Sequence, residues 1–183
     1  LFPEAKSEQI RFISTPGRSE LGGNHTDHNL GCVVAGSIEL DALAALVPTD
    51  DNRVRLKSKG FDTLFDVDLS SLDPKEEEGG TQALIRGVAA RCNELGYRTG
   101  GFLAYVDSKV LPGSGMSSSA AIEVLLGTAI SSLYNNSTIP VVELAKIGQY
   151  AENEYMGKPC GLMDQIACAH GGVVGIDFED PSE

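Results

Sequence analysis

The chain has 183 residues, 14 basic and 26 acidic, for a net charge of −12 at pH 7. It can bury a sizeable core, and its charge argues against nucleic acid or an anionic membrane surface as a general partner. A hydrophobic fraction of 42% places it among folded globular proteins, and no apolar run of about 18 residues predicts a membrane span. The first residues do not read as a secretory leader, and both ends read as cut in mid-course. Cys32, Cys92, Cys160 and Cys168 form no Cys-x-x-Cys pair, and no histidine stands at zinc-finger spacing. Buried free thiols in a reducing, cytoplasmic setting are therefore expected.

In chain order, 10–14 is a short apolar-rich strand that Pro16 and Gly17 end. Residues 31–36 and 41–47 read as two buried strands or as one long bent strand. Residues 53–58 alternate charged and apolar, as a half-exposed strand does, and 62–68 is a further strand. Together they suggest an antiparallel sheet. Residues 70–80 are polar and acidic, and Glu76, Glu77 and Glu78 read as solvated. Thr81 can cap the next helix, whose buried face is Leu84, Ile85, Val88, Ala89, Cys92 and Leu95, and Gly96 stops it. A strand over 101–107 precedes the clearest helix, 117–134, with a wide apolar stripe from Ile122 to Leu133. Pro140 opens another helix to about Met156, and 172–178 is a last strand. Strands first and helices later make an α+β pattern.

Three polar motifs interrupt these elements. The first to carry chemistry is L-P-G-S-G-M-S-S-S-A-A, residues 111–121, between a strand and a helix. Gly113 and Gly115 let the backbone approach a ligand closely, and the helix start offers unpaired amides and partial positive charge. That makes a phosphate site, with Ser117, Ser118 and Ser119 adding hydroxyls for phosphate or metal; a plain helix cap is the structural alternative. There is no G-x-x-x-x-G-K-[ST], and Ser118 stands where a dinucleotide fingerprint needs its third glycine.

The second motif, T-P-G-R-S-E-L-G-G-N-H-T-D-H-N-L-G, packs Arg18, Asn24, His25, Asp27, His28 and Asn29 between apolar strands. Such donors and acceptors suit a polyol, with Arg18 free for an anion, or a hydrogen-bonded turn. No further ligand pattern supports a metal on His25, Asp27 and His28. The third motif runs from Ala151 to Gln165. Asp164 lies in an uncharged stretch, where a carboxylate needs a partner, a task or a capping role. Glu152, near the end of a helix, can hold Mg²⁺ through oxygen or simply face solvent.

Taken together the motifs resemble the galactokinases of the GHMP kinase superfamily. Residues 16–28 fit P-G-R-x-x-x-x-G-[EN]-H-T-D-[YH], the serine loop resembles the superfamily's G-[LM]-S-S-S-A, and P-C-G-L-M-D-Q is close to specific for galactokinases. The resemblance covers almost the whole chain. It implies a two-layer α+β fold of the ribosomal-protein-S5 domain-2-like type, spanning 1–183 as an N-terminal domain, with a C-terminal domain outside this chain. It implies ATP-dependent phosphorylation of the C1 hydroxyl of α-D-galactose, with Mg²⁺, and near-inactivity of these residues alone.

On this resemblance Asp164 is the catalytic carboxylate, and Arg18 lies beside it to keep it ionised and to stabilise charge on the transferred group. Pro112, Gly113, Ser114, Gly115, Met116, Ser117, Ser118 and Ser119 wrap the ATP phosphates, and Ser119 and Glu152 hold Mg²⁺. Asn24, His25, Asp27 and Gly161 bind the sugar, with Asp27 reading the axial C4 hydroxyl. Asn24 stands where most galactokinases carry Glu, Ser19 and Glu20 replace a frequent Val-Asn, and His28 replaces a frequent Tyr. Two other outcomes are carried forward: a kinase for a related sugar such as galacturonate or N-acetylgalactosamine, and a catalytically silent sensor. The intact serine loop, with Arg18 and Asp164 both present, favours the enzyme over the sensor.

Overall fold

The computed structural model describes residues 2–3, 5, 7–24, 26–75 and 78–179, of which Ser7, Asp27 and His28 are described by backbone alone. The strands are β1 (Arg11–Gly22), β2 (Cys32–Pro48), β3 (Arg53–Ser58), β4 (Leu64–Asp68), β5 (Phe102–Ser108) and β6 (Val173–Asp177). The helices are α1 (Gly80–Glu94), α2 (Ser118–Tyr134), α3 (Val141–Tyr150) and α4 (Met163–His170). A single π-helical turn, Ala151–Tyr155, continues α3.

The sheet runs β1-β2-β5-β3-β4, with β6 added beside the first half of β2. β2 is one strand of 17 residues. Its first half pairs with β6 and the end of β1, and its second half pairs with β5 and the start of β1. The sheet is mixed rather than antiparallel, because β3 and β5 pair in parallel. The cause is topological: β3 and β4 form a hairpin, and α1 then crosses over and returns the chain beside β3.

Alternation along the strands decides the faces. Ile13, Ala42, Ala44, Leu46, Val54, Leu56, Phe102, Ala104 and Val106 point one way and pack under Leu84, Val88, Leu125, Leu126 and Ile130 of the helices. Each large side chain fully buried here stabilises the fold by about 1.5–3 kcal/mol. Phe12, Leu43 and Tyr105 point the other way and are exposed. The result is the expected two-layer α+β architecture, with the helices on one face.

Several local expectations change. β1 does not stop at Pro16 and Gly17 but bulges there and continues to Gly22. Pro16 lacks a ladder N–H, and a bulge accommodates it. α1 starts at Gly80 after Gly79, so Thr81 lies inside the helix and no side chain caps it. Leu95 ends α1 partly exposed. Glu78 is not solvated: it pairs with buried Arg86, while Glu76 and Glu77 lie outside the described residues. All four cysteines are free, but Cys32 is exposed; Cys92 and Cys168 are buried and Cys160 is half-buried. No helix among the described residues is long and apolar enough to cross a membrane.

Candidate active site

The bulge in β1 turns Arg18 inward, where it is buried. Its Nε donates to Asp164 Oδ1 at 2.7 Å and its Nη2 to Asp164 Oδ2 at 2.8 Å, a two-pronged fork across 146 positions of sequence. Its Nη1 donates to the Gly115 carbonyl at 2.8 Å. Asp164 sits in the first turn of α4, where a negative charge suits the helix dipole, and it also accepts from the Ser117 hydroxyl. One guanidinium thus ties strand, loop and helix together. The neighbouring Gly17 has to be glycine: a Cβ there would lie 2.8 Å from the Met116 carbonyl. That carbonyl accepts from Arg18 N at 3.2 Å, so the strand and the loop lie backbone against backbone.

The loop itself is open. Residues 111–115 are exposed, and nothing lies within 4 Å of where a Cβ would stand on Gly113 or Gly115. Both glycines have positive φ, +75° and +76°, which side-chain-bearing residues resist. Ser117 nevertheless adopts φ 57°, ψ 57°, a strain of about 1–3 kcal/mol in a non-glycine residue. Its hydroxyl is spent on Asp164 and caps nothing. The serine run is therefore not a helix cap, and the first amides of α2 remain directed at the open loop.

A second cluster lies behind the start of α2. The π turn widens the helix at Glu152, a feature frequent at functional sites. Glu152 is buried, and its Oε1 accepts from Ser119 Oγ at 3.0 Å and from Lys158 Nζ at 2.7 Å. Its Oε2 accepts from Gln165 Nε2 at 3.2 Å, and the same amide donates to Glu123 Oε2 at 2.9 Å. Glu123 Oε1 and Gln165 Oε1 are buried without a hydrogen-bond partner. Burial, and next the Glu152 charge, push the Glu123 carboxyl up to about 8. Burial and the Glu152 charge likewise push the Cys160 thiol up to about 12, which makes it an inert thiol. No cluster of three His, Cys, Asp or Glu able to hold a metal occurs among the described residues. One carboxylate and one hydroxyl beside the open loop still fit Mg²⁺, which takes few protein ligands and shares the rest with phosphate and water.

Residues 1–48 match a family described as the galactokinase galactose-binding signature, and residues 83–172 match the GHMP kinases N terminal domain. The chain belongs to the GHMP kinases. It is 33% identical to a Clostridium tetani galactokinase over 162 residues, 88% of this chain and 41% of that protein. It is 37% identical to a Lactobacillus helveticus galactokinase, over 91% of this chain and 43% of that one. The crystal structure of Lactococcus lactis galactokinase complexed with galactose superimposes with a TM-score of 0.88 at 28% identity, covering 96% of this chain and 46% of its own. Methanococcus jannaschii mevalonate kinase shares the fold, with a TM-score of 0.78 at 20% identity over 96% of this chain and 56% of its own. The chain thus spans less than half the length of the curated relatives it matches.

Within this GHMP kinase domain the structure joins Arg18, Asp164 and the serine loop directly, and joins Ser119 to Glu152. Gly161 lies three residues before Asp164, in the loop leading into α4. Asn24 is exposed, at φ 53°. Asn enters this left-handed region more readily than Glu, which gives the unusual residue a backbone reason. His25 lies outside the described residues, and Asp27 is placed only by its backbone, in the short turn Thr26–Asn29.

Sequence reasoning missed three features. A cavity of about 350 Å³ opens beside the loop, bounded by Phe61, Phe65, Leu84, Ile122 and Met156 and reaching Ser118 and Ser119. Its residues come from β3, β4, α1, β5 and α2 and the loops between them, and the exposed aromatic Phe61 just after Gly60 was the available signal. Glu123 was the single carboxylate inside an apolar helical stripe, a buried charge waiting for a reason. Lys158 carried no signal at all.

Proposed function

We propose that the protein carrying this chain is a galactokinase that transfers the γ-phosphate of ATP to the C1 hydroxyl of α-D-galactose. This chain is then its N-terminal, sugar- and phosphate-binding domain, and a C-terminal domain completes the cleft. The single observation that carries the reading is the Arg18–Asp164 fork at the foot of the open glycine–serine loop. Asp164 accepts the hydrogen bond of the sugar's C1 hydroxyl and takes up its proton as that oxygen attacks the γ-phosphorus and the bond to the β-phosphate oxygen breaks, releasing ADP. Arg18 spends three of its five N–H donors among the described residues, on both Asp164 oxygens and Gly115, and two remain for a phosphoryl oxygen. Such chemistry needs positioning and charge stabilisation more than covalent help.

The amides of α2 and the loop from Pro112 to Ser119 take the phosphates, and the apolar cavity beside them takes the nucleoside. Ser119 and Glu152 hold Mg²⁺, which when bound neutralises phosphate charge. Asn24, His25 and Asp27, inside the segment 1–48 that matches the galactose-binding signature, form the sugar side together with Gly161 before α4. Four free cysteines support a reducing, cytoplasmic setting.

The test is a panel of galactose, galacturonate, N-acetylgalactosamine and glucose with the full protein, ATP and Mg²⁺. Galactose should be phosphorylated at C1 with the highest kcat/KM. Preference for another sugar would move the assignment to that substrate, and galactose binding without turnover would replace the enzyme by a sensor.

A further inference from the structure

Glu152 is a buried carboxylate with an exposed counter-ion. Its side chain is 3% exposed, whereas that of Lys158 is 62% exposed. Burying an unpaired carboxylate is strongly unfavourable, so Glu152 needs compensating charge. Ser119 and Gln165 give it only neutral donors, and Glu123 beside Gln165 is another acid. The charge is therefore met by Lys158, at 2.7 Å from Oε1.

The backbone aims that lysine. Gly157 turns the chain back at φ +62°, Lys158 N donates to the Glu152 carbonyl at 3.1 Å, and Cys160 N donates to Asn153 Oδ1 at 2.8 Å. The stem is thus fixed at its root, while the ammonium head, on four flexible carbons, reaches in from solvent. Ser119 Oγ and Lys158 Nζ between them fill the two lone pairs of Glu152 Oε1. A divalent cation cannot join that oxygen until the ammonium leaves it.

We propose that Lys158 is a tethered counter-ion that occupies the cation position at Glu152 and competes with the divalent metal for it. It keeps the buried carboxylate neutralised in the metal-free protein and withdraws to solvent when the metal enters. This rests on the assignment of Ser119 and Glu152 as the metal site. It adds a positioning residue that raises the metal concentration at which the site fills.

The test is Mn²⁺ binding to the full protein without nucleotide, read from the electron paramagnetic resonance of free Mn²⁺. Lys158→Met should bind Mn²⁺ about five- to tenfold more tightly than the unaltered protein. Lys158→Arg should not tighten binding, and Glu152→Gln should lose it. In thermal unfolding, Lys158→Met should be less stable than the unaltered protein in chelator, and excess Mn²⁺ should close the gap. If that variant does not fold, Lys158→Gln takes both measurements. Unchanged or weaker Mn²⁺ binding by the neutral variants, with Glu152→Gln still losing it, overturns the lysine inference alone, as does a stability gap that Mn²⁺ leaves open. Binding retained by Glu152→Gln, or absent from every protein, overturns the metal assignment as well.

Discussion

Among its described residues the domain contains two arginine–carboxylate forks, and they are built alike. Arg86 holds Glu78 through Nε at 2.6 Å and Nη2 at 2.9 Å, and its Nη1 reaches the Asp68 and Ser71 carbonyls. Arg18 holds Asp164 in the same way and reaches the Gly115 carbonyl. The difference is where each opens. The Arg86 and Glu78 side chains are 2% and 11% exposed, and the two lie eight residues apart, so the pair fastens an acidic loop onto α1. The guanidinium holds the Glu78 carboxyl below its usual range, as a sealed pair should. The Asp164 side chain is 31% exposed, and its pair joins β1 to α4 beside a loop whose glycines face open space. One fork is sealed and the other leaves its carboxylate open to solvent beside the loop; sequence separation and residual exposure distinguish them, not bond length.

The comparison breaks most sharply at Asp164. Asp164→Asn should lower turnover of the full protein by about 10²–10⁴-fold, the usual worth of a positioned proton acceptor. It should cost less stability than breaking the sealed fork, because the Asn amide oxygen still accepts from Arg18, which also keeps Gly115, and the side chain at position 164 is 31% exposed. Steady-state rates and circular dichroism melts on the same sample measure both, and near-wild-type turnover would remove Asp164 from the chemistry. Arg86→Met should do the reverse. It strands a nearly buried Glu78 carboxylate and should cost about 3–5 kcal/mol in denaturant unfolding, while turnover per folded molecule stays unchanged. A loss of turnover without a loss of stability would show that the two forks do not divide their roles.

What the sequence disclosed follows the same division. The strands β3 and β5, the helix α2 and the three polar motifs were legible because their signals are local: alternation, a wide apolar stripe, glycines beside serines. Even the meeting of Arg18 with Asp164, 146 residues apart, was expected only through the family resemblance, since no local spacing encodes it. α4 escaped notice because eight residues give barely two turns of periodicity, and its buried Met163, Ala167 and Cys168 form too short a stripe. The parallel pairing of β3 with β5 depends on where α1 returns the chain, which is a tertiary fact. Glu78 read as one of three solvated acids because nothing in the run shows that only one meets a buried arginine.

The smallest expected effect tests the cluster behind Glu152, where the forks' principle is inverted and a carboxyl is buried with too few donors. In the unfolded chain Glu123 titrates near 4.3; in the fold, burial first and Glu152 second push it up to about 8. Between those values the native protein keeps a proton that the unfolded chain has released. Stability from this group is therefore complete below about pH 4, declines as pH rises, and is gone above about pH 8. Glu123→Gln should abolish that decline. Its amide can accept from Gln165 Nε2 and also offer a donor for the unpaired Gln165 Oε1. Other acids titrate identically in both proteins, so the difference between their urea midpoints isolates this one carboxyl. It should grow by about 1–2 kcal/mol in favour of the variant from pH 5 to about pH 6. A constant difference across that range would mean that Glu123 is already ionised in the fold, its charge met by Gln165 alone.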